Sequence, residues 1–267
     1  MKNLLVAGAL IIAACSCKRN IPDVKLPFTD SLEIFTTPDF VLGNYDLVWH
    51  DEFNGNSLDL TKWNYRAEGT TRGFGLVSRD NVELNGNGQL LIKVTKSTDG
   101  TYQIGQIGTQ GLFETTYGYF ECRAKMNKST GPHVAFWLQS PTYGGTANPA
   151  SDGAEIDIFE YHRRKADSVY NTVHWNGYGA DHESDQSASR HPALKEGFHT
   201  FALEWSNSRY IFYVDGVETW RTNSGLSKRS QYIILSAELN GWGGDPATGV
   251  FPDAVEFDYV RVFKKKN

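Results

Sequence analysis

The 267-residue chain is predicted to fold as an all-β, jelly-roll β-sandwich with one concave face. Short runs rich in Val, Ile, Phe, Tyr and Thr recur along it, each ended by Gly, Asn, Asp or Ser. That is the pattern of strands joined by tight turns. No stretch keeps a helical period, a heptad or a repeat of fixed length. The third observation is the run Ala154 to His162, where three acids are interleaved with strand formers. Such a run needs a curved sheet whose alternate residues line an open groove while the others fill a core.

The first residues stand apart from the fold. Met1-Lys2-Asn3 is a short positive start, and Leu4 to Ala14 is an apolar run too short to span a bilayer. Ile12-Ala13-Ala14-Cys15 resembles the bacterial lipobox, which implies cleavage before Cys15 and lipidation of Cys15. An ordinary secretory signal is the alternative, and both imply export. The expectation is an exported bacterial lipoprotein anchored in the cell envelope, at the periplasmic or surface face of the outer membrane. Lys18, Arg19, Pro22, Pro27 and Pro38 mark a linker without periodicity. The chain thus divides into a lipoprotein signal peptide over 1–15, a linker over 16–40 and a β-sandwich domain over 41–267. Cys17 lies in the tether, so Cys122 alone remains in the domain and no internal disulfide framework exists. Cys122 reads as a small buried apolar residue. A net charge of -5 argues against a nucleic-acid partner. Seven Trp, thirteen Tyr and fifteen Phe give more rings than a core needs, and the surplus suits a sugar-binding face.

From Tyr45 the strands follow in order. Asn81 to Leu84 and Gln89 to Thr95 flank Asn85-Gly86-Asn87-Gly88, a hairpin signal. Gly118 to Met126 alternates, with Tyr119, Glu121, Arg123 and Lys125 on one side. His133 to Gln139 is dense in apolar residues, as a central strand should be. Asn171 to Asn176 follows the acidic run. Phe198 to Trp205 and Tyr210 to Val214 pair across Ser206-Asn207-Ser208, and Asp215-Gly216 turns the chain into Val217 to Arg221. Tyr232 to Leu239 and Ala254 to Phe263 complete the set, and Lys264-Lys265-Lys266 is a solvated end.

In the acidic run, Glu155 and Asp157 share a face and Ile156 and Ile158 point to the core. Strict alternation would send Glu160 inward, where an unpaired carboxylate costs several kcal/mol. A β-bulge at Ile158-Phe159 re-aims Glu160 onto the acid face at less cost. Three carboxylates on one face raise at least one pKa. That is what retaining glycoside hydrolysis requires, with one carboxylate attacking the anomeric carbon and a second donating a proton to the leaving oxygen, about 5–5.5 Å away. A flat strand would hold the α-carbons of Glu155 and Glu160 about 16 Å apart, so curvature, bulge and side-chain lean must close the gap. The alternative is an acidic edge strand kept soluble by its charges.

The chain resembles glycoside hydrolase family 16, the family of laminarinases, agarases, carrageenases and endo-β-galactosidases, from about Leu47 to Lys264. The resemblance is carried by Trp49-His50-Asp51-Glu52-Phe53, Tyr117-Gly118-Tyr119-Phe120-Glu121-Cys122-Arg123, Phe136-Trp137-Leu138, Glu155-Ile156-Asp157-Ile158-Phe159-Glu160, Phe198-His199-Thr200-Phe201, Tyr213-Val214-Asp215-Gly216 and Phe257-Asp258-Tyr259-Val260-Arg261-Val262. It implies a concanavalin A-like sandwich in which Glu155 is the nucleophile, Glu160 the general acid/base, and Asp157 the residue that orients Glu155 and separates the two pKa values. The spacing of the acids matches the bulged version of laminarinase-like and galactan-active members. The resemblance further implies that Trp137 is a stacking floor, with a core Trp as the alternative. Glu121 and Arg123 either meet sugar hydroxyls or form a structural ion pair. His174, in preference to its neighbour Trp175, faces the groove, and Glu238 and Trp242 close the substrate site. Asp258 either binds a structural calcium ion or is a solvent-facing acid.

Two departures bear on substrate. Gly131-Pro132-His133 stands where laminarinases carry Trp-Pro, and Ala237-Glu238-Leu239-Asn240-Gly241-Trp242 replaces their aliphatic run. An acid or His near the groove fits an axial hydroxyl such as galactose O4. The expectation is a monomeric, retaining endo-β-glycanase needing no cofactor, hydrolysing internal bonds of a β-linked polysaccharide and leaning to galactan, keratan or mucin O-glycan chains. A β-1,3-glucanase and a non-catalytic glycan-binding lipoprotein are the alternatives.

Overall fold

Each long strand sends one row of side chains inward, and the inward rows meet between two sheets whose strands run mostly antiparallel. The computed structural model describes residues 37–267. The expected signal peptide, the expected lipidation site Cys15 and the expected linker as far as residue 36 lie outside the described residues. One sheet has seven strands, ordered Glu183–Arg190, Ser168–Trp175, Glu155–His162, Gly131–Gln139, Tyr232–Gly243, Gln106–Gly108 and Asn64–Tyr65. The other has eleven, with Gly118–Lys125 and Asp253–Lys265 side by side near its middle. Phe120, Cys122, Phe201, Leu203 and Phe257 from the larger sheet pack against Val134, Phe136, Leu138, Ile156 and Leu235 from the smaller. Burying such side chains contributes about 1.5–3 kcal/mol each. This is the jelly-roll sandwich expected, with Cys122 a fully buried free thiol in its core.

The expected strands stand within a few residues of their bounds, and Asp215-Gly216 turns as anticipated with both φ angles positive, 50° and 73°. Glu183–Arg190 is a strand that periodicity does not reveal. Its ESDQSASR sequence carries no apolar row because it is the outermost strand of the smaller sheet, with five of its eight residues exposed and none buried. The domain also begins before residue 41. Thr37 is buried and donates to Glu121 Oε1 at 2.7 Å, and a helix spans Asp39–Asn44. Phe40 meets Tyr119 edge-on at 5.9 Å. A linker reaching residue 40 therefore overruns the fold by at least four residues.

Candidate active site

The acidic strand bulges where alternation required it. Against Gly131–Gln139, Glu155 faces Gln139, Asp157 faces Trp137, and Glu160 faces Ala135, with one residue of the acidic strand left over. The same slip appears on the other side, where Asp157 pairs with Thr172 but Glu160 pairs with Tyr170. Ile158 and Phe159 both turn to the core, at 1 % and 0 % exposure, and Glu160 returns to the face of Glu155 and Asp157. A bulge strands a carbonyl, and here the side-chain amide of Asn171 donates to Ile158 O at 2.6 Å. Phe159 also packs 4.4 Å from the Phe201 ring, which fixes the bulge from below.

The outer face of the smaller sheet forms a cleft of about 440 Å³ lined by the three acids, His133, Trp137, Gln139, Glu238 and Asn240 among others. Trp137 lies in its wall, Nε1 donating to Ser236 Oγ at 3.1 Å, with the Arg66 guanidinium 5.0 Å above the ring. His174 is on the cleft face with Nε2 3.4 Å from Asp157 Oδ2, while Trp175 packs toward the core. Glu238 accepts from Gln106 Nε2 at 3.2 Å. Trp242 stands beside the cleft in a ring cluster, 4.8 Å from His133, 4.6 Å from His162 and 4.9 Å from Tyr170.

Two expected cleft residues lie elsewhere. Glu121 and Arg123 project from the outer face of the larger sheet, with the whole core between them and the acids, because their strand neighbours Phe120, Cys122 and Ala124 take the inner face. Glu121 is fully buried and accepts from Thr37, Tyr119 and Tyr259. Arg123 donates to Asp258 Oδ2 at 2.6 Å and lies over Phe198. Their strand face was legible; which sheet carried it was not. The Arg123 pairing also bears on calcium at Asp258. A calcium ion wants six to eight oxygen ligands, and a guanidinium in contact brings charge of the wrong sign. The residues at Asp258 do not fit the ion. Among the described residues, Glu155, Asp157 and His174 offer metal-type donor atoms within 4.8 Å of one another.

Several cleft residues had escaped sequence reasoning. Gln139 follows Trp137 by two on one strand, and Ser236 precedes Glu238 by two, so pleat counting from the named residues reaches both. Arg66, Arg72 and Tyr178 come from short strands or loops without periodicity.

Burial pushes the Glu155 carboxyl up to about 7, with the Glu160 charge adding and hydrogen bonds from Tyr178 and Gln139 opposing. Asp157 is raised well above the usual carboxylate range by complete burial and the neighbouring acids. Burial would lift Glu160 too, but His133 and the Thr172 hydroxyl bring it below the ordinary glutamate value. His133 Nε2 lies 3.0 Å from Glu160 Oε1, without the alignment of a regular hydrogen bond. Asn240 Nδ2 donates to His133 Nδ1 at 2.9 Å, which leaves Nε2 to carry the ring proton toward Glu160. Like charges on one wall cannot all ionise together, so the trio holds protons that its members share.

Residues 48–265 match the family model described as the GH16 domain of β-porphyranases A–D. The chain is 26% identical to glucan endo-1,3-β-glucosidase A1 of Niallia circulans over 92% of its own length and 42% of that protein's. It is 28% identical to keratan-sulfate endo-1,4-β-galactosidase of Sphingobacterium multivorum over 97% of its length and 66% of that protein's. It therefore spans less than two thirds of either relative. The laminarinase structure from Rhodothermus marinus superposes with a TM-score of 0.72 at 27% identity, covering 84% of this chain and 98% of that one. With the family model covering nearly the whole sandwich, the chain belongs to glycoside hydrolase family 16.

Proposed function

We propose that the chain is a retaining endo-β-glycanase in which Glu155 attacks the anomeric carbon and Glu160 is the general acid/base. The observation that carries the reading is the bulge, which gathers Glu155, Asp157 and Glu160 on one wall of an open cleft beside Trp137. Glu160 gives its proton to the glycosidic oxygen as a Glu155 oxygen bonds to the anomeric carbon and the C–O bond breaks. Water then attacks the glycosyl-enzyme while Glu160 takes its proton. Asp157, buried on the same wall with its carboxyl pushed up, orients Glu155 and spares it a second full negative charge. In the substrate-free cleft the proton lies on the Glu155–Asp157 half, the reverse of what the first step needs. The reacting form is therefore the minority one, with the proton on Glu160 and Glu155 ionised.

The substrate class is a β-linked polysaccharide or glycan, with the lean toward β-galactoside-containing chains. His133, Glu238 and Asn240 place donors and acceptors in the cleft, which favours an axial hydroxyl, and the porphyranase-type model and the keratan-sulfate relative point the same way. The glucanase relative and laminarinase structure support β-1,3-glucan equally. A non-catalytic glycan binder would gain nothing from three repelling carboxylates. Export through lipidation at Cys15 and a monomeric state belong to the same proposal, and metabolic labelling with a fatty acid tests the first. The enzymatic test is incubation with laminarin, mixed-linkage glucan, agarose, porphyran, keratan and mucin O-glycans, followed by product identification. Wild type should release oligosaccharides from one class with the β-anomer first by proton NMR, and Glu155→Ala should bind but not cut. Initial α-anomer, or near wild-type turnover by Glu155→Ala, refutes the mechanism.

A further inference from the structure

Glu155 is gripped on one oxygen only. Gln139 Nε2 donates to its Oε2 at 2.8 Å, and the Tyr178 hydroxyl donates to the same Oε2. Gln139 Nε2 also lies 2.8 Å from the Tyr178 oxygen, and the Tyr232 hydroxyl donates to Gln139 Oε1 at 2.6 Å. Tyr232 thereby fixes which end of the amide faces the carboxylate. Among the described residues Oε1 of Glu155 accepts no hydrogen bond, and it is not sealed from the cleft.

Tyr178 comes from the loop between Ser168–Trp175 and Glu183–Arg190, and its side chain is two-thirds exposed. The base of that loop is nevertheless fixed. Asn176 and Gly177 take successive left-handed φ angles of 65° and 77°. Gly177 packs so closely on Gly144 that a Cβ on Gly144 would lie 2.6 Å from the Gly177 α-carbon. Tyr143 donates to Gly177 O at 3.1 Å and meets the Tyr178 ring edge-on at 4.9 Å. An exposed ring on a clamped base, reaching inward with its hydroxyl alone, is arranged to hold something.

We propose that Tyr178, backed by Gln139 and Tyr232, is a positioning residue that pins Oε2 of Glu155 so that Oε1 delivers the attack on the anomeric carbon. The inference rests on the hydrolase reading above. The hydroxyl acts twice, aiming the free oxygen into the cleft and favouring the ionised carboxylate that attack requires. The other titratable and charged groups facing Glu155 are Asp157 and Glu160 on its strand, His174 on the next, Glu238 and Tyr232 from Tyr232–Gly243, and Arg66 and Tyr143 from neighbouring segments. Tyr178→Phe leaves all of them in place.

The test compares wild type with Tyr178→Phe on whichever glycan of the panel wild type cleaves, and titrates Glu155 by carboxyl ¹³C NMR in both proteins. Loss of a hydrogen bond to a charged group should lower kcat roughly tenfold to hundredfold, with KM within about twofold. The Glu155 titration should move to higher pH. A Tyr178→Phe enzyme with kcat within about twofold of wild type and an unmoved Glu155 titration overturns the proposal alone. A wild type that cleaves nothing in the panel overturns the hydrolase reading and this one with it.

Discussion

Asn171→Ala removes the side-chain donor to the carbonyl of Ile158, a 2.6 Å hydrogen bond in a site with 1 % exposure. An orphaned buried carbonyl costs about 1–3 kcal/mol. A typical domain has about 5–15 kcal/mol of stability, so even the worst combination leaves about 2 kcal/mol and more than nine-tenths of molecules folded. Any larger loss of turnover must come from the site. The bulge is what holds Glu160 beside Glu155, and when its carbonyl seeks another partner the Glu160 carboxyl shifts with it. An error of about 1 Å in catalytic geometry can cost roughly a hundredfold. Urea denaturation should therefore show a loss of about 1–3 kcal/mol, and initial rates at a temperature where the protein stays folded should fall at least tenfold. Asn171→Asp, similar in size but aiming an oxygen at an oxygen, should do no better. If Asn171→Ala matches wild type in both stability and rate, the bulge does not depend on this amide and the reasoning fails.

Three further outcomes are expected. His133→Ala removes the contact that favours ionised Glu160, so Glu160 should keep its proton to higher pH, read by carboxyl ¹³C NMR titration; a downward shift refutes the pairing. Trp242→Ala, which opens a half-exposed ring cluster at the cleft, should raise KM roughly twofold to tenfold with little change in kcat, read from Michaelis curves on the cleaved glycan. Burial lifts Glu121 to about 6, so it favours the folded state below the ordinary glutamate value and loses that contribution as pH rises through 6. The stability gap between wild type and Glu121→Gln should shift by about 2 kcal/mol toward the mutant from pH 4.5 to 7.5, measured by chemical denaturation at each pH.

The sandwich and the acid wall were legible because both rest on local rules. Alternation fixes which side chains share a face, and the cost of burying Glu160 argues for a bulge before any coordinates exist. Glu121 and Arg123 show where local rules stop. Pleat counting puts them together on one face but cannot tell the cleft face from the outer face of the opposite sheet, which depends on long-range strand order. Asp258 follows the same logic, since its partner Arg123 is 135 residues away in the chain. Tyr178 had no signal because its reach to Glu155 depends on a contact between two glycines, Gly144 and Gly177, of separate loops. Asn171 had a weak one, a polar residue on the inward row of a strand, a place that calls for a backbone partner.

Thr37 enters the domain through the outer face of the larger sheet, latched to a carboxylate that no water reaches. Any pull on the polypeptide at Thr37 is therefore borne at Glu121, with the whole hydrophobic layer between it and the acid wall of the cleft.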